Sequence, residues 1–486
     1  MASPLLTRFA ELAGSTGPAA IDDRQEIGHA ELFGRARRAA ATLGPLAGRR
    51  VAMLASPDAD WLAAFLGILV AGGVAVPLSP AYPPAELAWF AGEADADIAI
   101  VSADLEDRAR TLAAGRRVLA PGDLFAAAPA PLDPGSARPD DGAVLFFTSG
   151  TTARPKGVIL SHGNLATQAG AIRDAWGLSP EDRLLHTLPL HHVHGLGIAL
   201  MNVLCAGGSI RFVPRFDVDR VLDLLGAGAA TVWMAVPTMY HRLRERGDVP
   251  RAERAAAHLR LATSGSAALP VSLAEWWQGI SGAIPLERFG MTEIGVALTN
   301  PLDPGARRLG HVGHPLASAE IRIVDETGAD LDTGPGELWV RGPSVFSGYH
   351  KRPEATAAAF ADGWFKTGDV AVRGDGGAIR LLGRTSVDIL KSGGYKISAL
   401  EVEEAFREHP AVGEVAVVGV PDERWGERVV AVVVPCRECD PEALRAFVRE
   451  RLATYKVPRD IVIDRDLPRN AMGKVMKPEL IKRLLS

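Results

Sequence analysis

Short β-rich runs alternate with Ala/Leu-rich segments through most of this 486-residue chain, and that alternation limits the fold more than any other feature. The runs at 50–54, 74–78, 98–101, 117–119, 209–213 and 231–236 read as strands, and the stretches 58–71, 84–91 and 218–227 between them read as helices. Strands separated by helices of this length predict layered α/β architecture with mostly parallel sheets. Near residue 310 the texture changes: runs at 320–324 and 336–340, with Gly and Asp turns between them, predict a smaller barrel-like unit. Beyond 385 the order becomes helix 398–408, strands 412–420 and 428–435, helix 441–452, strand 460–463 and helix 477–485. The expectation is a large N-terminal domain, 1–384, and a small α+β C-terminal domain, 385–486, of ordinary domain size.

Composition narrows the partners. Net charge is −5, with no basic block and no interleaved aromatic pattern, which argues against nucleic acid as a ligand. An anionic substrate would therefore need locally placed cations. The most apolar window, 61–78, is interrupted by Gly67, Gly72 and Gly73 and reads as a buried helix running into a strand, not as a membrane span. Cys205, Cys436 and Cys439 give no disulfide framework and fit a reducing compartment. Cys436-x-x-Cys439 lacks a second Cys pair or a nearby His and reads as a surface loop. With no apolar leader in the first ten residues, the expectation is a cytoplasmic protein with no membrane partner and no obligate protein partner.

The apolar run 143–147 leads into Thr148-Ser149-Gly150-Thr151-Thr152-Ala153-Arg154-Pro155-Lys156-Gly157. Glycines admit backbone N–H groups to an anion, hydroxyls donate to it, and Arg and Lys offset its charge, so this loop suits a polyphosphate. It is not the Gly-x-x-x-x-Gly-Lys-[Ser/Thr] loop, because Lys156 follows Pro155 and precedes Gly157. Four further elements follow in order. In Arg288-Phe289-Gly290-Met291-Thr292-Glu293 a ring stands ready to stack on a base and a carboxylate to hold Mg²⁺. Gly363-Trp364-Phe365-Lys366-Thr367-Gly368-Asp369 reads as an acid in a tight turn. Gly383-Arg384-Thr385-Ser386-Val387-Asp388 precedes Lys391-Ser392-Gly393-Gly394-Tyr395-Lys396, whose two glycines suit either a closely passing ligand or a simple hairpin. The fifth is Pro468-Arg469-Asn470-Ala471-Met472-Gly473-Lys474.

Together these five elements resemble the adenylate-forming superfamily of acyl-CoA synthetases, peptide adenylation domains and luciferases, over nearly the whole chain. The resemblance implies a mobile C-terminal lid and two half-reactions, in which a carboxylate displaces pyrophosphate from ATP·Mg²⁺ and a thiol, normally of coenzyme A, then takes the acyl group. It implies that Thr148, Ser149, Gly150, Thr151, Thr152 and Lys156 hold the β- and γ-phosphates, with Thr148 and Glu293 toward Mg²⁺. Thr292 falls to the α-phosphate, Phe289 to the adenine, Asp369 and Arg384 to the ribose, and Lys474 to the meeting point of carboxylate and α-phosphate. Lys391, Ser392, Gly393 and Gly394 fall to the coenzyme A tunnel. Two positions depart from the pattern: the stacking aromatic is Phe289 where Tyr is usual, and the hinge position is Ser386 where Asp or Lys is common.

The acyl pocket of such enzymes follows Pro189, here Leu190-His191-His192-Val193-His194-Gly195. His192 matches the common His of the motif, which the resemblance makes catalytic. His194 stands where an aromatic often serves apolar acids, so it points to a polar acyl group or else to a core hydrogen bond. A zinc site from His191, His192 and His194 is disfavoured because neighbours on a strand face opposite ways. Arg288 precedes the stacking aromatic and, with Ser264 or Ser266, would grip a second carboxylate bidentately; the competing reading is an ion pair with Glu287. The runs 236–240, 287–293 and 383–403 resemble malonyl-CoA and methylmalonyl-CoA synthetases, which implies malonate or methylmalonate as substrate. Alternatives are a short-chain monocarboxylate synthetase and an adenylation enzyme that loads a carrier protein.

Overall fold

In the computed structural model, which describes residues 1–148, 155–469 and 475–485, the predicted alternation becomes two large sheets sharing one core. The six-stranded sheet runs in the order Arg117–Leu119, Ala96–Val101, Arg50–Leu54, Val74–Pro77, Gly142–Thr148, Lys156–Ser161. All its pairings are parallel except the last, an antiparallel hairpin. In the strand Arg50–Leu54, Val51 and Met53 join the main core while Ala52 and Leu54 join a second cluster on the opposite face. That period of two explains why the run is apolar throughout: both faces of a parallel sheet are covered.

The nine-stranded sheet has a parallel centre, Leu286–Met291, Leu261–Ser264, Val232–Ala235, Arg183–His186, Ser209–Phe212 and Pro18–Ile21, with antiparallel edges. The helix Ala59–Val70 has only buried side chains apart from Asp60, as a helix apolar on all sides requires. A Cβ on its Gly67 would lie 2.9 Å from the carbonyl of Ala36, so glycine permits the neighbouring helix His29–Leu43 to approach.

The barrel-like expectation resolves into a five-stranded antiparallel sheet built on Gly336–Arg341, Trp364–Arg373 and Ile379–Arg384. The C-terminal domain is a sheet of Ile389–Ser392, Tyr395–Ser398, Val412–Asp422, Gly426–Pro435 and Asp460–Ile463, covered by helices on both faces. The fold is thus mixed α/β, a large N-terminal body and a smaller C-terminal domain. Among the described residues no helix is long and apolar enough to cross a membrane.

Two local readings are corrected. Asp369 lies within the strand Trp364–Arg373 and not in a tight turn; the turn is at Asp362 and Gly363, both at positive φ (48° and 79°). His191 and His192 are not on a strand. They occupy a turn after Pro189 that opens into a π-helical segment, His194–Leu200, and their rings lie 4.1 Å apart, so the face-alternation argument does not apply.

Candidate functional site

The strands Gly142–Thr148 and Lys156–Ser161 pair through Thr148 and Lys156, and the Thr148 hydroxyl donates to the Lys156 carbonyl at 3.4 Å. The intervening phosphate-loop candidates Ser149, Gly150, Thr151 and Thr152 lie outside the described residues, as does Lys474. Lys156 itself points at a third group. Its Nζ sits 4.9 Å from the centroid of the Tyr349 ring, and the Tyr349 hydroxyl donates to Glu293 Oε1 at 3.0 Å. Glu293, 6% exposed, occupies the turn between the antiparallel strands Leu286–Met291 and Gly295–Thr299, one residue after Thr292. Burial pushes its pKa up, while Tyr349, Arg384 and Lys156 pull it back.

A buried carboxylate with a phenol hydrogen bond and, among the described residues, no direct ion pair suits a hard cation. No cluster of three His, Cys, Asp or Glu suited to a metal occurs among the described residues.

Asp369 and Arg384 face each other across an antiparallel pair, Arg384 Nε lying 3.4 Å from Asp369 Oδ1. Gly368, at φ 72°, sets the backbone just before the acid. Sequence separated Lys156, Glu293 and Arg384 widely, and the fold brings all three together around Tyr349, with Asp369 joined to the group through Arg384. Tyr349 was missed, since nothing in Gly348-Tyr349-His350 distinguishes it from a packing tyrosine. Phe289 packs into the main core and is buried.

The second cluster forms where strands Leu261–Ser264 and Leu286–Met291 run side by side. Arg288 is 4% exposed, and its Nε and Nη2 have no hydrogen-bond partner among the described residues. It forms no ion pair with Glu287, because successive strand residues point to opposite faces. Its guanidinium rests on Gly265, where a Cβ would stand 2.5 Å from Nε. Burial lowers its pKa to about 10, so it remains a cation at neutral pH.

Around it the polar groups are neutral and underused. His194 Nδ1 meets Ser266 Oγ at 3.0 Å, while His194 Nε2, His192 Nε2 and Ser264 Oγ are buried without partners. Burial, reinforced by Arg288, holds His194 well below the usual imidazole pKa, and burial alone brings His192 down to about 4. Ser266 adopts φ 69°, a strained value for a residue with a side chain. Buried polar groups in native proteins are normally satisfied, so this concentration of orphans marks a place where a polar ligand completes the site.

The hairpin carrying Lys391, Ser392, Gly393 and Gly394 stands apart from both clusters. Gly393 and Gly394 turn it at φ 59° and 83°, and a Cβ on Gly393 would stand 3.0 Å from the Trp425 ring. Ser392 is buried, whereas Lys391 and Gly394 are exposed. Ser386 is exposed, and Asp388 two residues on is tied by Lys477 (2.6 Å) to Glu403 (2.8 Å).

Residues 9–350 match the AMP-binding enzyme family, and residues 401–474 match the AMP-binding enzyme C-terminal domain. The mitochondrial malonate–CoA ligase ACSF3 of Homo sapiens is 38% identical, aligned over 99% of this chain and 92% of that protein. The ATP-bound MatB from Rhodopseudomonas palustris superposes with a TM-score of 0.92 at 37% identity, covering 99% of each chain. A malonyl-CoA ligase in a ternary product complex with methylmalonyl-CoA and AMP gives 0.71 at 38% identity, over 96% of this chain and 100% of that one. With both halves matched and a relative of this similarity aligned almost end to end, the chain belongs to the AMP-binding enzyme family of adenylate-forming enzymes.

Proposed function

We propose that this chain is an AMP-forming acid–thiol ligase that joins malonate, with methylmalonate as second choice, to coenzyme A through an acyl-adenylate. The observation that carries the reading is Arg288: a buried guanidinium with two unpartnered nitrogens beside neutral histidines. A monocarboxylate gives it nothing to bind, whereas the distal carboxylate of malonate supplies a planar, bidentate partner. The names of the relatives agree.

In this reading one carboxylate of malonate is gripped at Arg288 and the other is left free to meet the α-phosphate of ATP. Lys156 and Arg384 offset phosphate charge, Thr148 and Thr292 donate to phosphate oxygens, and Glu293 accepts the metal. Mg²⁺, when bound, would neutralise phosphate oxygens and orient them for in-line displacement. Asp369 accepts ribose hydroxyls. Neutral His192 and His194 line the acyl end without adding charge that would compete with Arg288. We place the domain boundary at 384/385; the main core has its last buried residue at Ile379 and the C-terminal cores begin at Leu390. The chain lies nearer the ATP-bound relative (TM-score 0.92) than the product complex (0.71), in keeping with a C-terminal domain that moves between half-reactions and brings Lys391–Gly394 to the thiol path. Its three free cysteines suit a cytoplasmic setting.

The test is pyrophosphate release with acetate, butyrate, malonate, methylmalonate, succinate and benzoate. Malonate should give the highest kcat/KM and methylmalonate the next. Higher kcat/KM for acetate or butyrate would replace this reading with a short-chain monocarboxylate synthetase. A second measurement tests the seat of the guanidinium. Gly265→Ala pushes a methyl group into Arg288 Nε, which must then move. A displaced charge-assisted pair loses about 1–2 kcal/mol, so kcat/KM for malonate should fall roughly 5- to 30-fold with KM for ATP unchanged.

A further inference from the structure

Glu287 is not used by the mechanism above, yet it is among the most buried acids in the chain, at 6% exposure. It lies immediately before Arg288 on the strand Leu286–Met291, on the opposite face. The backbone N–H groups of Leu269 and Gly310 face its carboxyl, and Oε1 has no partner. Its own carbonyl accepts from Asn300 twice, through the backbone N–H at 3.0 Å and Nδ2 at 3.2 Å.

These contacts close a ring around the arginine. From Glu287 the ring passes to Leu269, back along the loop through Ser266 to Gly265, onto the Arg288 guanidinium, and along the backbone to Glu287 again. Ser266 in that loop holds His194. Resting on the proposed function above, we propose that Glu287 is a positioning residue for the dicarboxylate: from the opposite face of the strand it pins the Gly265–Leu269 loop behind Arg288 without pairing with it, and so leaves Arg288 to the substrate's distal carboxylate.

The charges around it fit this role. Burial, helped by Glu404 of the helix Ala399–Arg407, outweighs the two N–H groups and raises its pKa to about 8. Glu404 accepts from the Val271 N–H at 3.3 Å, two residues past Leu269. Tyr240, from the helix Pro237–Arg246, is buried and un-ionised, its hydroxyl donating to the Thr263 carbonyl at 3.0 Å. Arg307 lies beyond Tyr240 and donates to the carbonyls of Pro301, Ile284 and Leu302. Arg288, on the same strand, points to the opposite face and makes no ion pair with Glu287. An anionic Glu287 would sit in a low-dielectric interior next to Arg288 and weaken its hold on any anion.

The sign follows. Below about pH 8 Glu287 is protonated and malonate meets an uncompensated guanidinium; as pH rises through that value Glu287 ionises and malonate binds less well. Malonate itself is fully ionised across this range. In the adenylation half-reaction of the full chain, KM for malonate should rise roughly 3- to 30-fold between pH 7 and 9, while KM for ATP follows no such curve. Glu287→Gln, isosteric and neutral at every pH, should flatten the rise and keep kcat near the wild-type value at pH 7. Glu404→Gln should move the transition to lower pH, because it removes a charge that opposes ionisation.

A wild-type malonate KM that is flat over this range would overturn the proposal, as would a rise that persists in Glu287→Gln. If Glu287→Gln does not fold, the wild-type and Glu404→Gln profiles decide alone. Absence of malonate turnover at pH 7 would instead defeat the functional reading, which separates the two failures.

Discussion

Arg288→Ala should lower kcat/KM for malonate by roughly 30- to 1000-fold. A buried charge-assisted pair costs about 2–4 kcal/mol to truncate, much of it because the substrate's carboxylate is left unpaired. The loss should appear mainly in KM, since the distal group is held equally in the ground and transition states. Activity on butyrate, however small at the start, should change far less. Arg288→Lys should restore only part of the loss, because an ammonium cannot reproduce the planar fork that rests on Gly265. The same reasoning gives the variant an opposite effect on stability. In the free enzyme Arg288 is a buried cation with two orphaned nitrogens. Replacing it by Met, of similar length and apolar, removes that desolvation penalty, so Arg288→Met should raise Tm while losing malonate activity. A site that trades stability for binding is what a specificity pocket requires. Equal loss of malonate and butyrate activity would make Arg288 a scaffold residue, and the dicarboxylate reading would fall back to an unspecified short-chain acid.

The alternation was legible because its strands are short apolar runs with sharp ends. Arg50–Leu54 and Asp460–Ile463 match their sequence assignments end to end, as does the helix Lys477–Leu485. The histidine segment was not. Gly195 lies so close to the Pro189 carbonyl that a side chain there would collide with it, and this tertiary closure produces a turn and a π-helical segment that no local period announces. Asp369 was misplaced because Gly368-Asp369 carries turn chemistry by itself. In the fold Asp369 stays in its strand, paired with Arg384, and the positive φ of Gly368 is absorbed where the ladder to Gly336–Arg341 shifts register. The candidate site divides in the same way. Glu293, Arg384 and Arg288 are named by motif, but Tyr349, which bridges Lys156 and Glu293, comes from a distant segment with no pattern of its own. The ion pair with Glu287 that the sequence left open fails because neighbours on a strand point to opposite faces. That Gly265 lies under the guanidinium required coordinates, since a single glycine in Ser264-Gly265-Ser266 has no signature for what it faces.

Lys474→Ala should separate the two half-reactions. When the malonate carboxylate approaches the α-phosphate, two anions must come within bonding distance, and a cation placed between them acts on charge that exists only there. Removing one such preorganised group costs on the order of 10²–10³ in rate, so pyrophosphate release should fall by about that much or more. The second half-reaction starts from a mixed anhydride and a thiol and never brings those two anions together. Thioester formation from synthetic malonyl-adenylate should therefore stay within a few-fold of wild type. The described flanks fit a lysine carried by the C-terminal domain: Arg469 and Val475 form an antiparallel bridge, and the Met476 N–H donates to the Pro468 carbonyl at 2.7 Å. The helix that follows begins at Lys477, clamped between Asp388 and Glu403. That clamp binds the base of the loop to the segment after Arg384, so the loop should travel with the C-terminal domain as a unit. A mutant that forms malonyl-adenylate from ATP at the wild-type rate would remove Lys474 from the chemistry. One that loses both half-reactions equally would show that the segment supports the domain and does not act on the substrate.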